Sequence, residues 1–439
     1  MARRIGQRLA SALRSDDARH AGLLIGATTL GQVVLLGTMP ILARLFPPAE
    51  WGALVTLTAL ATVGASVSAL CYDSAIVLPR SERAARALFA LSARLIVVTS
   101  ACGGLAAFAA LLAMPAAFGG GHAAVFALGF FVYTLAGGAI SALGHALGRG
   151  KRYRPIALSK ITQTAGPSLA QVAAGVAGYL GSHGLVAGRG LGLIGAAGLM
   201  AAAAPPGYRL AGAIRARRVD VAAAARMYRD VILQVPRQLL VRGATALPAL
   251  FMVASYGAAA GALFFFAQRL VERPGALLGD TLSRLPMRRF AQLRAERKPL
   301  LRAALAWTAM IAAPIIAGVA LTAALADQIV ALLFGPAWME AGGYVVVMSL
   351  WAGARLSAMP LTTLIFVLRR HKAGLTLDGV FSLRALAIPT TAFVGGDALT
   401  ALSIFTGLSV LYHALHVANG VRAARRHDRA LHSKAEPHE

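Results

Sequence analysis

The chain has 439 residues, of which 58% are hydrophobic and only 14% charged, where a soluble domain carries about a quarter charged residues. Its formal net charge is +26, from 43 Lys and Arg against 17 Asp and Glu. The apolar content excludes a soluble globular domain. The basic residues sit in short segments between long apolar runs, which is topology information and points away from a nucleic-acid partner.

In chain order, residues 1–20, MARRIGQRLASALRSDDARH, form a basic amphipathic tail. No short apolar region with a cleavage site follows it, so no removable signal peptide is read. Apolar runs then recur at 21–43, 52–78, 88–113, 122–147, 156–180 and 184–204. Each reaches the ~20 residues that cross ~30 Å of hydrocarbon, whereas a β-barrel would show ~10-residue alternating strands. A basic connector, 205–230, PPGYRLAGAIRARRVDVAAAARMYRD, separates these six spans from six more at 231–255, 258–280, 301–325, 343–367, 373–394 and 398–418. A tail, 419–439, ends the chain. The predicted fold is an all-α polytopic membrane protein of about twelve transmembrane helices, in two six-helix bundles (21–204 and 231–418) related by pseudo-two-fold symmetry.

The loops test the span count. With the N-terminus in the cytoplasm, most of the 43 basic residues fall on that side, in the two tails, the connector and the alternate loops. The outer side holds Arg44, with Arg189 near it. Both termini are therefore expected in the cytoplasm. A faint repeat agrees: LFPPAEWGALVTL and ASYGAAAGALFFF place Gly-Ala-Leu, beginning at Gly52 and Gly261, at the start of the second helix of each half. Six-plus-six repeats with a site between them are a transporter architecture.

Polar residues within spans carry the functional reading. An arginine at the centre of a spanning helix costs about 2.5 kcal/mol or more, so it needs a compensating partner. At about 1.5 Å per residue from Tyr256, Arg242 lies about 21 Å deep, and Arg237 is near enough to the inner edge to snorkel. Arg269 lies near the midplane of the eighth span. Arg273 and Asp280 continue its face, and Glu272 is placed to pair with Arg269. Arginine forks bind phosphate oxygens bidentately, so Arg242, Arg269, Arg273 and, in the tenth span, Arg355 are the candidate substrate-binding residues. Asp73, Glu272 and Asp280 are candidates for ion coupling; interfacial polar roles are the alternative. Arg94, Arg189 and Arg384 read as packing or headgroup contacts, with Asp378 six residues from Arg384. Cys71 and Cys102 lie in spans and read as packing residues. Trp51 and Trp338 read as interfacial anchors. His413 and His416 lack a third metal ligand. The run 282–300 reads as an amphipathic segment on anionic lipid. With no Walker, nucleophile-elbow or zinc motif, no cofactor and no enzymatic activity are expected.

RLFPPAEWGALVTLTAL followed by YDSAIVLPRSERAA resembles the first two spans of bacterial polysaccharide flippases. YGAAAGALFFFAQRLVERPGALLGDTLSRLP resembles their seventh and eighth, and LFGPAWMEAGGYVVVM is similar to their loop before the tenth. Over about 21–418 the chain is similar to the oligosaccharide flippase family, in the superfamily that also holds multidrug exporters and peptidoglycan-precursor flippases. The resemblance implies two six-helix bundles working by alternating access around a cavity lined by the first, second, seventh and eighth spans. It implies transfer of an undecaprenyl-pyrophosphate-linked oligosaccharide to the outer leaflet of the inner membrane for surface polysaccharide synthesis. Its partners would be membrane lipids and the polysaccharide polymerase and chain-length machinery. The alternatives are a multidrug or cation antiporter of the same fold, and a membrane glycosyltransferase or polymerase. The latter is disfavoured because the longest outer loop, about 326–342, carries only Asp327 and Glu340.

Overall fold

The computed structural model describes residues 16–113, 123–179, 181–368, 370, 377–381 and 383–432; a few helical side chains, including those of 273–284, lie outside the described residues. All regular structure among the described residues is helical. Among the described residues, nine stretches are long and apolar enough to cross a membrane. One of them, 229–272, covers the expected span 231–255 and most of the next, 258–280. The fifth span, too polar to qualify on composition because it carries Arg154, Lys160, Gln163 and Gln171, and a broken eleventh bring the total to about twelve.

Contacts divide the chain into units 1–254 and 255–439. The first contains α1 (Asp16–Leu45), α2 (Gly52–Val67), α3 (Glu82–Ala113), α4 (Ala123–Arg149), α5 (Tyr153–Val176) and α6 (Ser182–Ala203). The connector folds as two short helices, α7 (Leu210–Arg215) and α8 (Arg218–Met227). The helical run α9 (Gln234–Ala295) is broken at Gly257, whose φ of 86° lies in a region that only glycine enters without strain. This break falls between the seventh and eighth predicted spans. The arm 234–256 belongs almost wholly to the first unit and the arm 258–295 to the second. The second unit continues with α10 (Leu301–Phe334), α11 (Ala341–Val367), α12 (Ala387–Phe393) and α13 (Ala398–His432).

In the first unit α5 packs on α1 and α6, and α4 packs on α2, α3 and α6. One hydrophobic cluster includes Ile76, Leu88 and Leu147, all fully buried. The connector helices lie on α3. Arg94 donates to the carbonyls of Ala213 (3.3 Å) and Ala216 (2.9 Å), and Arg83 grips Asp220 with two hydrogen bonds of 2.8 and 3.2 Å. The Arg83 guanidinium holds the Asp220 carboxyl below its ordinary range. In the second unit α11 packs on α10 and α13. The Asp428 carboxylate accepts from the amides of Leu300 (2.8 Å) and Leu301 (3.1 Å), satisfying donors at the start of α10 that the helix leaves unpaired.

Three expectations need correction. The second span does not run as a helix over 52–78. It ends at Val67, and Leu70 and Cys71 turn left-handed, with φ of 48° and 63°. The hydroxyls of Ser66, Ser68 and Ser74 bond backbone carbonyls three residues back, a local alternative to the helix ladder. The eleventh span, expected over 373–394, is in pieces among the described residues: a helical turn at 377–381, a 3-10 turn at Leu383–Leu386, then α12. Pro389, which has no amide hydrogen, sits in the first turn of α12, where that loss is tolerated. Trp51 and Trp338 are not membrane anchors: both are buried within the protein, with exposures of 2% and 0%. The Trp51 indole donates to the Phe46 carbonyl, and Trp338 stacks against Phe266 with centroids 4.7 Å apart.

Candidate functional site: a polar cavity in the first unit

A cavity of about 340 Å³ lies among α2, α4, α5, α6 and the first arm of α9, all within the first unit. Its walls follow from helical spacing. Thr58, Ala61, Thr62, Ala65 and Ser66 form one face of α2, at i, i+3, i+4, i+7 and i+8. On α4 the stripe Tyr133, Gly137, Ser141 advances by four residues and faces it. The helices meet closely because Gly137 has no side chain; a Cβ there would stand 2.8 Å from that of Ala65.

Gln163 from α5, Arg189 from α6 and Arg242 from α9 complete the polar lining. The Arg189 guanidinium lies 5.6 Å from the Tyr133 ring centre, and the Tyr133 hydroxyl donates to the Val186 carbonyl at 2.7 Å, fixing that ring. Among the described residues, Arg242 has no carboxylate partner, and no residue lining the cavity is Asp or Glu. Two permanent cations therefore share a cavity with hydroxyl and amide groups that donate and accept hydrogen bonds.

Ser141 connects this cavity to Asp73. The serine hydroxyl donates to Asp73 Oδ2 at 2.5 Å, and His145 Nδ1 stands 3.8 Å from the same oxygen. His145 is one further step along the α4 stripe. Asp73 follows the left-handed Leu70–Cys71 pair and precedes the 3-10 turn Ser74–Val77, and Tyr72 beside it donates to the Ala225 carbonyl at 3.1 Å. The interruption in the second span is thus fastened to connector helix α8.

The other expected site residues lie elsewhere. Arg269, in the second unit, is 7% exposed with its guanidinium 4.2 Å from the Phe265 ring centre, a contact that is stronger when desolvated. Glu272 accepts a hydrogen bond from Gln268 at 3.3 Å. Arg355 lies over Trp351 at 5.3 Å. The side chains of Arg273 and Asp280 lie outside the described residues. Asp378, near Arg384 in the sequence, is instead contacted by Tyr412 (2.5 Å) and His416 (3.4 Å), which tie the broken eleventh span to α13. Among the described residues no cluster of His, Cys, Asp and Glu could hold a metal ion.

Sequence reasoning missed Tyr133, Ser141, His145 and Gln163, and assigned Arg189 to packing or headgroup contacts. The four-residue spacing from Tyr133 to His145 was a usable signal: polar residues on one face of an otherwise apolar span.

About twelve helices, five of them around a polar cavity in the first unit, define a polytopic membrane protein with the fold of MOP-superfamily transporters. The structure is similar to a multidrug resistance MATE family transporter of that superfamily in an inward-facing conformation, with a TM-score of 0.61, 14% identity, and coverage of 92% of this chain and 96% of the other. It is similar to the lipid II flippase MurJ in an inward closed conformation, with a TM-score of 0.65, 11% identity, and coverage of 94% and 92%. A MOP superfamily transporter from Pyrococcus furiosus matches with a TM-score of 0.52, 15% identity, and coverage of 95% and 97%. No curated protein sequence matches the chain. Residues 41–342 match the sequence profile of the polysaccharide biosynthesis protein family, and the chain belongs to that family.

Proposed function

We propose that the protein flips a polyprenyl-pyrophosphate-linked oligosaccharide across the bacterial inner membrane, from the cytoplasmic to the outer leaflet, for surface polysaccharide synthesis. The observation that carries this reading is the convergence of Arg189 and Arg242, with hydroxyl and amide groups, on one cavity among long apolar helices. Guanidinium forks match phosphate oxygens, and the hydroxyls and Gln163 suit sugar hydroxyls. A doubly charged headgroup offsets the cost of keeping arginines within the bilayer. Arg269, Arg273 and Arg355 are proposed as further contacts, met as the substrate passes the second half. A cation exporter would need a carboxylate where this cavity presents arginines, which disfavours the antiporter reading.

In this reading both termini are cytoplasmic, and halves 21–204 and 231–418, joined by the connector 205–230, alternate access. Asp73, hydrogen-bonded by Ser141 and placed at the connector-tethered break, is the acid proposed to couple transport to an ion; Glu272 and Asp280 are the second-half candidates. The polymerase and chain-length machinery would take up the product outside.

The test is surface glycan display in cells whose own flippase is deleted. Arg242→Ala should abolish display and accumulate lipid-linked oligosaccharide in the cytoplasmic leaflet, while membrane insertion stays normal and Arg242→Lys retains part of the activity. Full display with Arg242→Ala would remove the basis of the proposal.

A further inference from the structure

A second cavity, of about 400 Å³, lies on the opposite face of the α4–α6 pair. The chain neighbours Val132 and Tyr133 divide between the two cavities, as do Ile194 and Leu193. This one is a groove between α3 and α6, floored by α4. Phe89, Val97, Leu135, Ile194 and Gly198 are among its lining, and the Tyr208 hydroxyl is the one polar side-chain group on it. Val97 and Ile194 are half exposed, at 46% and 50%, so the groove opens sideways. From Val132 to Leu143 it runs about 16 Å along α4, the reach of one hydrocarbon chain rather than of a whole lipid.

The groove ends at Tyr208, where the connector begins. Three arginines gather there. Arg152 Nη1 donates to the Ala203 carbonyl and Arg209 Nε to the Ala204 carbonyl, each at 3.2 Å, and the Arg86 guanidinium lies against Gly207. The nearby carboxylate, Glu82, is engaged by Arg149 Nε and the Tyr208 hydroxyl, each at 2.9 Å, and lies 4.0 Å from Arg86 Nε, so one negative charge stands against four arginines. Burial pushes the Tyr208 phenol up to about 12, so it stays a neutral donor. An apolar slot thus terminates in a rim of surplus positive charge.

We propose that this groove binds one acyl chain of an anionic phospholipid, whose phosphate sits on Arg86, Arg152 and Arg209. The occupant is not the tail of a transported lipid: a headgroup in the polar cavity and a chain in this groove would lie on opposite sides of the α4–α6 wall. The site would instead hold connector and α3 together as long as acidic lipid is present. This inference does not depend on the substrate proposed above.

Native mass spectrometry of the purified full-length protein, titrated with phosphatidylglycerol and with phosphatidylcholine of the same chains, tests it. Phosphatidylglycerol should be retained preferentially. Arg86→Gln, Arg152→Gln and Arg209→Gln should each weaken its binding about fivefold and leave phosphatidylcholine unchanged. Gly198→Leu should abolish the preferred site; outside its own helix backbone nothing lies within 4 Å of a Cβ built there, so the added side chain starts in open space. Val97→Trp gives an independent readout, with fluorescence quenched by chain-brominated phosphatidylglycerol. Equal retention of the two lipids, or unchanged binding by Gly198→Leu, would overturn the proposal. Displacement of phosphatidylglycerol by a polyprenyl phosphate would overturn the choice of occupant.

Discussion

Gly137→Ala is the sharpest probe of the cavity wall. The added Cβ would stand 2.8 Å from the Ala65 Cβ, where relaxed carbon contacts are about 3.5–4.0 Å, so α2 and α4 must separate by about 0.7–1.2 Å. Overpacking of this kind costs about 1–3 kcal/mol. Replacing glycine by alanine in a helix returns about 1 kcal/mol of propensity, leaving a net loss of about 0–2 kcal/mol. Ala65→Gly alone loses about 1 kcal/mol on the same scale. In the double variant the clash disappears and the propensity terms cancel, so stability should return to that of the wild type. The coupling energy is then the clash itself, about 1–3 kcal/mol, well outside the 0.3–0.5 kcal/mol scatter of independent sites. Equilibrium unfolding in a mixed detergent series measures all four corners. Additive effects would show that α2 and α4 do not meet at this point, and the cavity would lose the wall described here.

Other outcomes follow from single contacts. Asp220 has a folded pKa held below its ordinary value of about 3.9 by Arg83, so its contribution to connector docking is complete above that value and is lost as pH falls through the folded pKa. Hydrogen exchange over 218–227, corrected for intrinsic rates, should rise in acid, and Asp220→Asn should remove the pH dependence. Asp428→Ala should destabilise the start of α10 by about 1 kcal/mol, visible as faster exchange at Leu300 and Leu301. In variants retaining only Trp51 or only Trp338, fluorescence should resist quenching by brominated acyl chains, since both rings are buried in protein; strong quenching would restore their reading as membrane anchors.

The membrane fold was legible because length and apolarity alone define a spanning segment, and the break at Gly257 fell where the seventh and eighth spans were separated. What stayed hidden depended on tertiary pairing. The tryptophans of PAEW and PAW have the composition of interface anchors, and only the packing of Trp338 on Phe266 shows otherwise. The end of α2 at Val67 falls where Leu70 and Cys71 turn left-handed, a backbone change no apolar count registers. Arg242 was legible as a deep arginine, but its companion Arg189 belongs to a different helix, and one sequence does not say which helices are neighbours. His145 needed the same information: its place on the α4 stripe was visible, but its proximity to Asp73 across a helix break was not.

In the proposed transport cycle a pyrophosphate-bearing lipid crosses the membrane past Arg189 and Arg242. The most direct measurement reconstitutes the purified protein in vesicles with a fluorescent polyprenyl-pyrophosphate-linked sugar and follows its transfer between leaflets. Truncating one side of a desolvated charge pair costs about 2–5 kcal/mol, so Arg189→Ala with Arg242→Ala should slow transfer by about thirtyfold or more, with vesicle insertion unchanged. Transfer at the wild-type rate in that double variant would mean that the lipid does not pass these two arginines.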